Sequence, residues 1–180
     1  MEIKQTPLKD CFIIENDLHG DARGFFLESF NKKRFSELSG FDMDVKQVNF
    51  AKSQKGVLRG LHYQLNPYAQ SKLVGVISGA VIDVVVDLRS DSETFGNKFE
   101  IRIDSPNLNF FVPRGFAHGY EVLEDNTIFY YAVDNFYSPD YERGLFYADP
   151  DIGIEWSKGS KNISQKDQLN PSLKEAEYNF

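Results

Sequence analysis

The chain has a single cysteine, Cys11, among its 180 residues. An internal disulfide is therefore excluded, and a reducing compartment fits. No apolar run approaches the ~18 residues that a membrane-spanning helix needs. The opening segment, MEIKQTPLKDCF, lacks the apolar core of a secretory signal, so a soluble cytoplasmic protein is expected. Positive charge is in deficit, with 20 Lys and Arg against 27 Asp and Glu for a formal net charge of −7. No block of like charge reads as a nucleic-acid arm, and the sign is wrong for a phosphate backbone. An anionic small ligand would need a local cationic pocket working against the overall field. Repeats, low-complexity segments and an interdomain linker are all absent. The length suits one domain spanning 1–180.

Chemistry-bearing residues are also sparse. Only three histidines occur, His19, His62 and His118. No histidine lies two or four residues from His62 or His118, and no Glu closely follows His62. A compact metal-ligand set is missing, so no metal is expected. A G-x-S-x-G elbow is absent and Cys11 has no local activating motif, which leaves little room for a nucleophilic enzyme.

Aromatics are abundant, at 14%, with 16 Phe and 9 Tyr. Such residues favour pleated, half-buried surfaces. Short β-like runs separated by turn clusters follow one another. They are 11–15, 24–30, 45–50, 57–64, two runs within 72–89 around Ser78-Gly79, then 99–104, 109–113, 119–123 and 127–133. The segment 152–156 reads as one more strand, 16–24 as a loop, and the polar tail from Lys158 as surface wrapping. In the second half of 72–89, Ile82, Val84, Val86 and Leu88 share one face, while Asp83 and Asp87 share the other. One short helix is expected from Asn31 to Gly40, with Asn31 as cap, Gly40 as stop, and Phe30 and Phe35 as a hydrophobic staple. Strands at ~8–12-residue spacing indicate an all-β sandwich or barrel.

His62, in RGLHYQ, has Arg59 before it and Lys72 after it. In an unbroken strand Arg59 and His62 face opposite sides. They converge on one ligand only if a bulge at Gly60 or a subunit boundary intervenes. Tyr130 and Tyr131 are neighbours on one strand, so one can enter an interior while the other packs outside. Composition alone makes both of them core aromatics, and makes Asp167 a solvated carboxylate in a polar stretch.

The ordered series HGDARGFFLESF, QVNFAKS, RGLHYQ, QSKLVGVISGAVIDVVVDLR, SETFG, VPRGFAHGY, YSPDYERG, DPDIGIEW and SQKD closely resembles the dTDP-4-dehydrorhamnose 3,5-epimerase family over nearly the whole chain. PRGFAH also resembles the second cupin motif. The resemblance implies an all-β, double-stranded β-barrel of cupin or jelly-roll type with short peripheral helices. It implies a homodimer with exchanged N-terminal strands, no cofactor, no metal, and a dTDP-linked 4-keto-6-deoxy sugar as substrate. Residue by residue, it implies His62 as general base, Asp167 as its paired carboxylate, Tyr131 as the proton donor from the opposite face, and Lys72 beside the sugar ketone. Arg59 matches the phosphate-binding arginine, and Arg23 and Glu28 match nucleotide contacts. Gln47 and Asn49 match a polar contact strand, and His118, Glu142 and Lys166 match further ligand contacts. One departure stands out: Phe136-Tyr137 occupies the place of a tyrosine pair, so Phe136 keeps a stacking face and loses a hydroxyl.

The implied chemistry suits these groups. A C4 ketone acidifies the hydrogens on C3 and C5, and the resulting enolate oxygen needs a cation or donors arranged beforehand. Histidine starts near ~6.5, suitable for a base at neutral pH. A carboxylate fixes its tautomer. Inversion requires the new proton to arrive on the other face. The alternatives are a mono-epimerase at C3 or C5, a keto-isomerase, a metal-dependent cupin and a non-catalytic sugar-binding cupin.

Overall fold

The computed structural model describes residues 1–159 and 161–180. The β-branched and aromatic runs form two sheets that face each other. The first has the order β1 (Glu2–Gln5), β2 (Phe12–Glu15), β10 (Leu108–Val112), β7 (Lys72–Ser78), β12 (Thr127–Val133) and β5 (Gln47–Ser53). The second has the order β13 (Glu142–Gly144), β6 (Val57–Gln64), β11 (Phe116–Val122), β8 (Val81–Asp87) and β9 (Lys98–Ile103), with β14 (Asn162–Ile163) running parallel to β6. The architecture is the jelly-roll form of the cupin fold, with two packed sheets rather than one continuous closed barrel.

Three apolar layers hold it together. Between the sheets lie Val74 and Val76 of β7, Val81 and Val85 of β8, Phe110, Phe116 and Phe129. The outer face of the second sheet carries Val84, Val86 and Leu88, and Ile82 packs against them, as the alternation requires. That face is covered by Leu145, Ile152 and the tail residues Leu173, Tyr178 and Phe180. The outer face of the first sheet, with Ile14, Leu73 and Phe111, is covered by α1 (Lys32–Ser39) through Phe35. The helix has the expected ends. Asn31 accepts a hydrogen bond from the Arg34 backbone N–H, Gly40 adopts φ 77°, and the Phe30 and Phe35 rings lie 5.7 Å apart.

Three expectations require correction. The segment 16–24 is not a plain loop, because β3 (Leu18–Asp21) pairs with β4 (Gly24–Leu27) as a separate hairpin. That hairpin ends the expected 24–30 strand at Leu27 and leaves Phe25 and Phe26 exposed. Residues 152–156 form a turn and an irregular stretch, not a strand, in which Trp156 donates to the Tyr147 carbonyl. The tail does more than wrap the surface: it contributes β14, the short helix α2 (Gln165–Gln168) and part of an apolar layer. Among the described residues no helix is long and apolar enough to cross a membrane.

Candidate active site

A cavity of about 700 Å³ opens between the two sheets. Its second-sheet wall depends on a β-bulge. His118 lies opposite His62 and Tyr120 lies opposite Arg59, so one residue of β11 faces two of β6, Gly60 and Leu61. The extra residue flips the alternation and turns Arg59 and His62 toward the same cavity. Only glycine fits the crossing. Gly60 has φ +125°, and a Cβ there would meet the Gly119 Cα at 2.5 Å. The convergence that the sequence made conditional on a bulge is therefore met within one chain.

His62 and Asp167 form a close pair, with His62 Nε2 donating to Asp167 Oδ1 at 2.6 Å. Asp167 is only 3% exposed, so the solvated-carboxylate reading is overturned. Ser164 caps α2 by accepting from the Asp167 N–H, and the Gly60 N–H approaches Asp167 Oδ2 at 3.4 Å. Burial pushes the Asp167 carboxyl up, but the His62 hydrogen bond and charge and the two backbone and cap contacts outweigh it, and the net shift is downward. A carboxylate only accepts, so Nε2 of neutral His62 carries the proton and Nδ1 is the basic nitrogen.

Tyr131 enters from the facing sheet. Its neighbour Tyr130 points the other way and donates to Asn109 Oδ1 at 2.7 Å. Burial raises the Tyr131 phenol, the Arg59 charge opposes the shift, and Glu142 adds to it, so the phenol stays protonated at neutral pH. Lys72 opens β7 and donates to the His62 carbonyl at 3.3 Å. Burial lowers its ammonium to about 8 against the pull of Asp83 and Glu142. Beneath them His118 Nε2 and Asp83 Oδ2 are 2.9 Å apart, and burial drives both groups toward their neutral forms. Gln47 Nε2 donates to Asn49 Oδ1 at 2.8 Å on β5. At the mouth, Lys166 pairs with Glu142, which also accepts from the Tyr137 hydroxyl at 2.9 Å. Arg59 donates to Ser53 Oγ at 3.3 Å.

Ten of the thirteen site residues that the sequence suggested thus line one cavity. Arg23, Glu28 and Phe136 do not. Arg23 is 90% exposed at the hairpin tip and pairs with Asp21, while Glu28 borders a separate recess beside Met1 and Arg34. Phe136 is exposed, and it is Tyr137 beside it that reaches the cavity. Sequence reasoning missed Tyr120, Tyr137 and Gln64. Tyr120 had a signal, since it shares the inward face with His118 two residues before it. Among the described residues no three His, Cys, Asp or Glu side chains group as a metal-ligand set.

Residues 5–175 match the family model described as dTDP-4-dehydrorhamnose 3,5-epimerase. The enzyme of that name from Shigella flexneri is 45% identical, over 99% of each chain. This chain belongs to the dTDP-4-dehydrorhamnose 3,5-epimerase family. It is similar to the crystal structure of the dTDP-6-deoxy-D-glucose-3,5-epimerase RmlC from Legionella pneumophila in complex with dTDP-4-keto-L-rhamnose. That comparison has a TM-score of 0.93 and 43% identity, covering 97% of this chain and 93% of that one. A second 3,5-epimerase structure, from Elizabethkingia anophelis, has a TM-score of 0.92 and 46% identity, covering 97% of each chain. A 3'-monoepimerase from Streptomyces bikiniensis, in complex with dTDP-quinovose, is also similar, with a TM-score of 0.89 and 33% identity, covering 94% of this chain and 86% of that one. Proteins similar to this chain thus include both 3,5-epimerases and a 3'-monoepimerase.

Proposed function

We propose that this chain inverts C3 and C5 of dTDP-4-keto-6-deoxy-D-glucose, yielding dTDP-4-keto-L-rhamnose. The observation that carries the reading is the pairing of two proton-transfer groups from facing sheets. His62, held by Asp167 at 2.6 Å, and Tyr131 border one cavity. A hexose between them meets a base on one face and an acid on the other.

His62 Nδ1 takes the proton from the carbon next to the ketone. The electron pair moves onto the C4 oxygen, which the Lys72 ammonium stabilises. Asp167 stabilises the imidazolium that forms. Tyr131 then delivers a proton to the opposite face of the same carbon, and the enolate collapses to the inverted ketone. Both groups recover their starting states by proton exchange with solvent, and the sequence repeats at the second carbon. Arg59 and Lys166 supply positive charge for the diphosphate in a chain whose net charge is −7. Gln47, Asn49, His118 and Glu142 bind the remaining polar groups.

Arg23 and Glu28 have a role in this scheme only if a second copy supplies them, whereas Phe136 stands exposed beside Tyr137 of the same chain. The homodimer reading is supported by exposed Phe25 and Phe26 on the hairpin and exposed Val48 and Phe50 on the edge strand β5. On this reading residues 1–180 form a single epimerase domain in each protomer. The single buried thiol, Cys11, suits a cytoplasmic setting.

Proton NMR of dTDP-4-keto-6-deoxyglucose incubated with the protein in deuterated water tests the proposal. Deuterium at C3 and C5, with formation of the L-sugar, is expected. Deuterium at one carbon alone makes the protein a mono-epimerase, and exchange at neither overturns the reading.

A further inference from the structure

Tyr120 lies on the inward face of β11 and lines the cavity. Its side chain is packed, with the ring stacked on Phe129 at a centroid distance of 3.9 Å and an interplanar angle of 21°. The residue is 5% exposed. Its hydroxyl has no hydrogen-bond partner among the described residues. This is unusual for a buried phenol, because leaving such a group unpaired costs more than replacing it with hydrogen. Phe would fill the same ring position without that cost. The other buried hydroxyls of the inner and outer layers behave differently: Tyr130 reaches Asn109 and Ser29, and Tyr63 reaches the Glu177 carbonyl at 2.7 Å.

The surroundings indicate what the hydroxyl meets. Across the strands Tyr120 is in register with Arg59 on one side and Asp83 on the other, and Tyr131 packs against the same apolar cluster. It therefore borders the part of the cavity that Arg59 and Tyr131 share, assigned above to the diphosphate and the sugar. A phenol wedged by stacking is a rigid donor with one free rotor. We propose that the Tyr120 hydroxyl donates a hydrogen bond to an oxygen of the bound nucleotide sugar, in the hexose or in the diphosphate joined to it, and so selects for that oxygen. The assignment rests on the epimerase reading, since that reading identifies the ligand.

The test is Tyr120→Phe, studied as the full-length protein beside the wild type. Three quantities are measured: kcat/KM for dTDP-4-keto-6-deoxyglucose, the affinities for dTDP-L-rhamnose and for dTDP alone, and Tm without ligand. The expected results are a fall of about tenfold in kcat/KM, from one unmade buried hydrogen bond, and an unliganded Tm that is unchanged or higher. A structural hydroxyl would give the opposite sign in Tm. A matching loss of affinity for dTDP assigns the acceptor to the diphosphate, and a loss confined to the sugar nucleotide assigns it to the hexose. Unchanged catalysis and affinity, or a clearly lower Tm, overturns the inference while an active wild type leaves the epimerase reading intact. An inactive wild type overturns both.

Discussion

At the scale of single residues, the site trades stability for function. Lys72 keeps an ammonium in a place where burial lowers its pKa to about 8. A lysine whose folded value lies below its unfolded one costs stability while protonated, and the cost is relieved as pH rises through about 8 toward the ordinary lysine range. Lys72→Met is therefore expected to raise Tm at pH 7 and to lower kcat by about 10²–10³, the usual loss for a missing enolate stabiliser. The same titration gives the wild type a basic limb: kcat falls as pH rises through about 8, where the ammonium loses its proton. A rate that stays level to pH 10 would dissociate the Lys72 charge from catalysis. Asp167→Asn leaves the carboxamide in van der Waals reach but favours the wrong His62 tautomer. A loss of about 10³–10⁴ in kcat with little change in KM is expected from steady-state kinetics.

At the scale of elements, the site depends on how the tail is fastened. Asp167 sits on a helix of four residues, too short to hold itself. Its position is set upstream. The Asn162 N–H donates to the Gly56 carbonyl at 2.8 Å, and β14 pairs with β6. Glu121, 1% exposed on β11, accepts from the Ser157 N–H at 2.8 Å and also binds the Ser157 hydroxyl and Lys161. Burial pushes the Glu121 carboxyl up, but Lys161 and the two Ser157 bonds bring it below the usual carboxylate range. Its stabilisation is therefore present at neutral pH and lost as pH falls through that depressed value. Glu121→Gln leaves the Lys161 ammonium without its carboxylate, and an unfolding free energy lower by roughly 3 kcal/mol is expected at pH 7 from denaturant titration. The difference from wild type should shrink in acid. If it persists undiminished in acid, the clamp is not ionic.

At the scale of the whole molecule, three of the expected site residues are stranded on the outside of the chain that carries them. Arg23 stands exposed on the β3–β4 hairpin while the cavity lies between the sheets. If the hairpin reaches the cavity of a second copy, two defective variants repair each other. Arg23→Ala and His62→Ala, each impaired alone, are expected to recover about a quarter of wild-type sites when co-refolded in equal amounts. Half of the dimers are then mixed, and each mixed dimer holds one intact site. No recovery in the mixture would overturn the supply of Arg23 by a second copy. Solution mass measurement of the wild type supplies the matching check on the dimer.

Much of this was legible in the residues themselves. Alternation fixes which side of a strand is apolar, so the faces of β8 and the opposed Tyr130 and Tyr131 follow from the sequence. Asn31, Gly40 and the Phe30–Phe35 pair state the helix ends, because caps and staples are local chemistry. The resemblance supplied ten cavity residues. What sequence pattern could not decide was long-range. Whether Arg59 and His62 share a face depends on how β6 meets β11, since Gly60 permits a bulge and only the contact with Gly119 requires one. Asp167 reads as a surface carboxylate until the tail folds back over 105 residues to His62. Ile154 and Trp156 look like strand residues because apolar alternation also occurs in a turn that packs on a sheet. The sequence determined the elements and their apolar faces, which arise from local sterics and period. The tertiary structure decided the site, because burial, register and the partners that shift a proton's affinity exist only once distant segments meet.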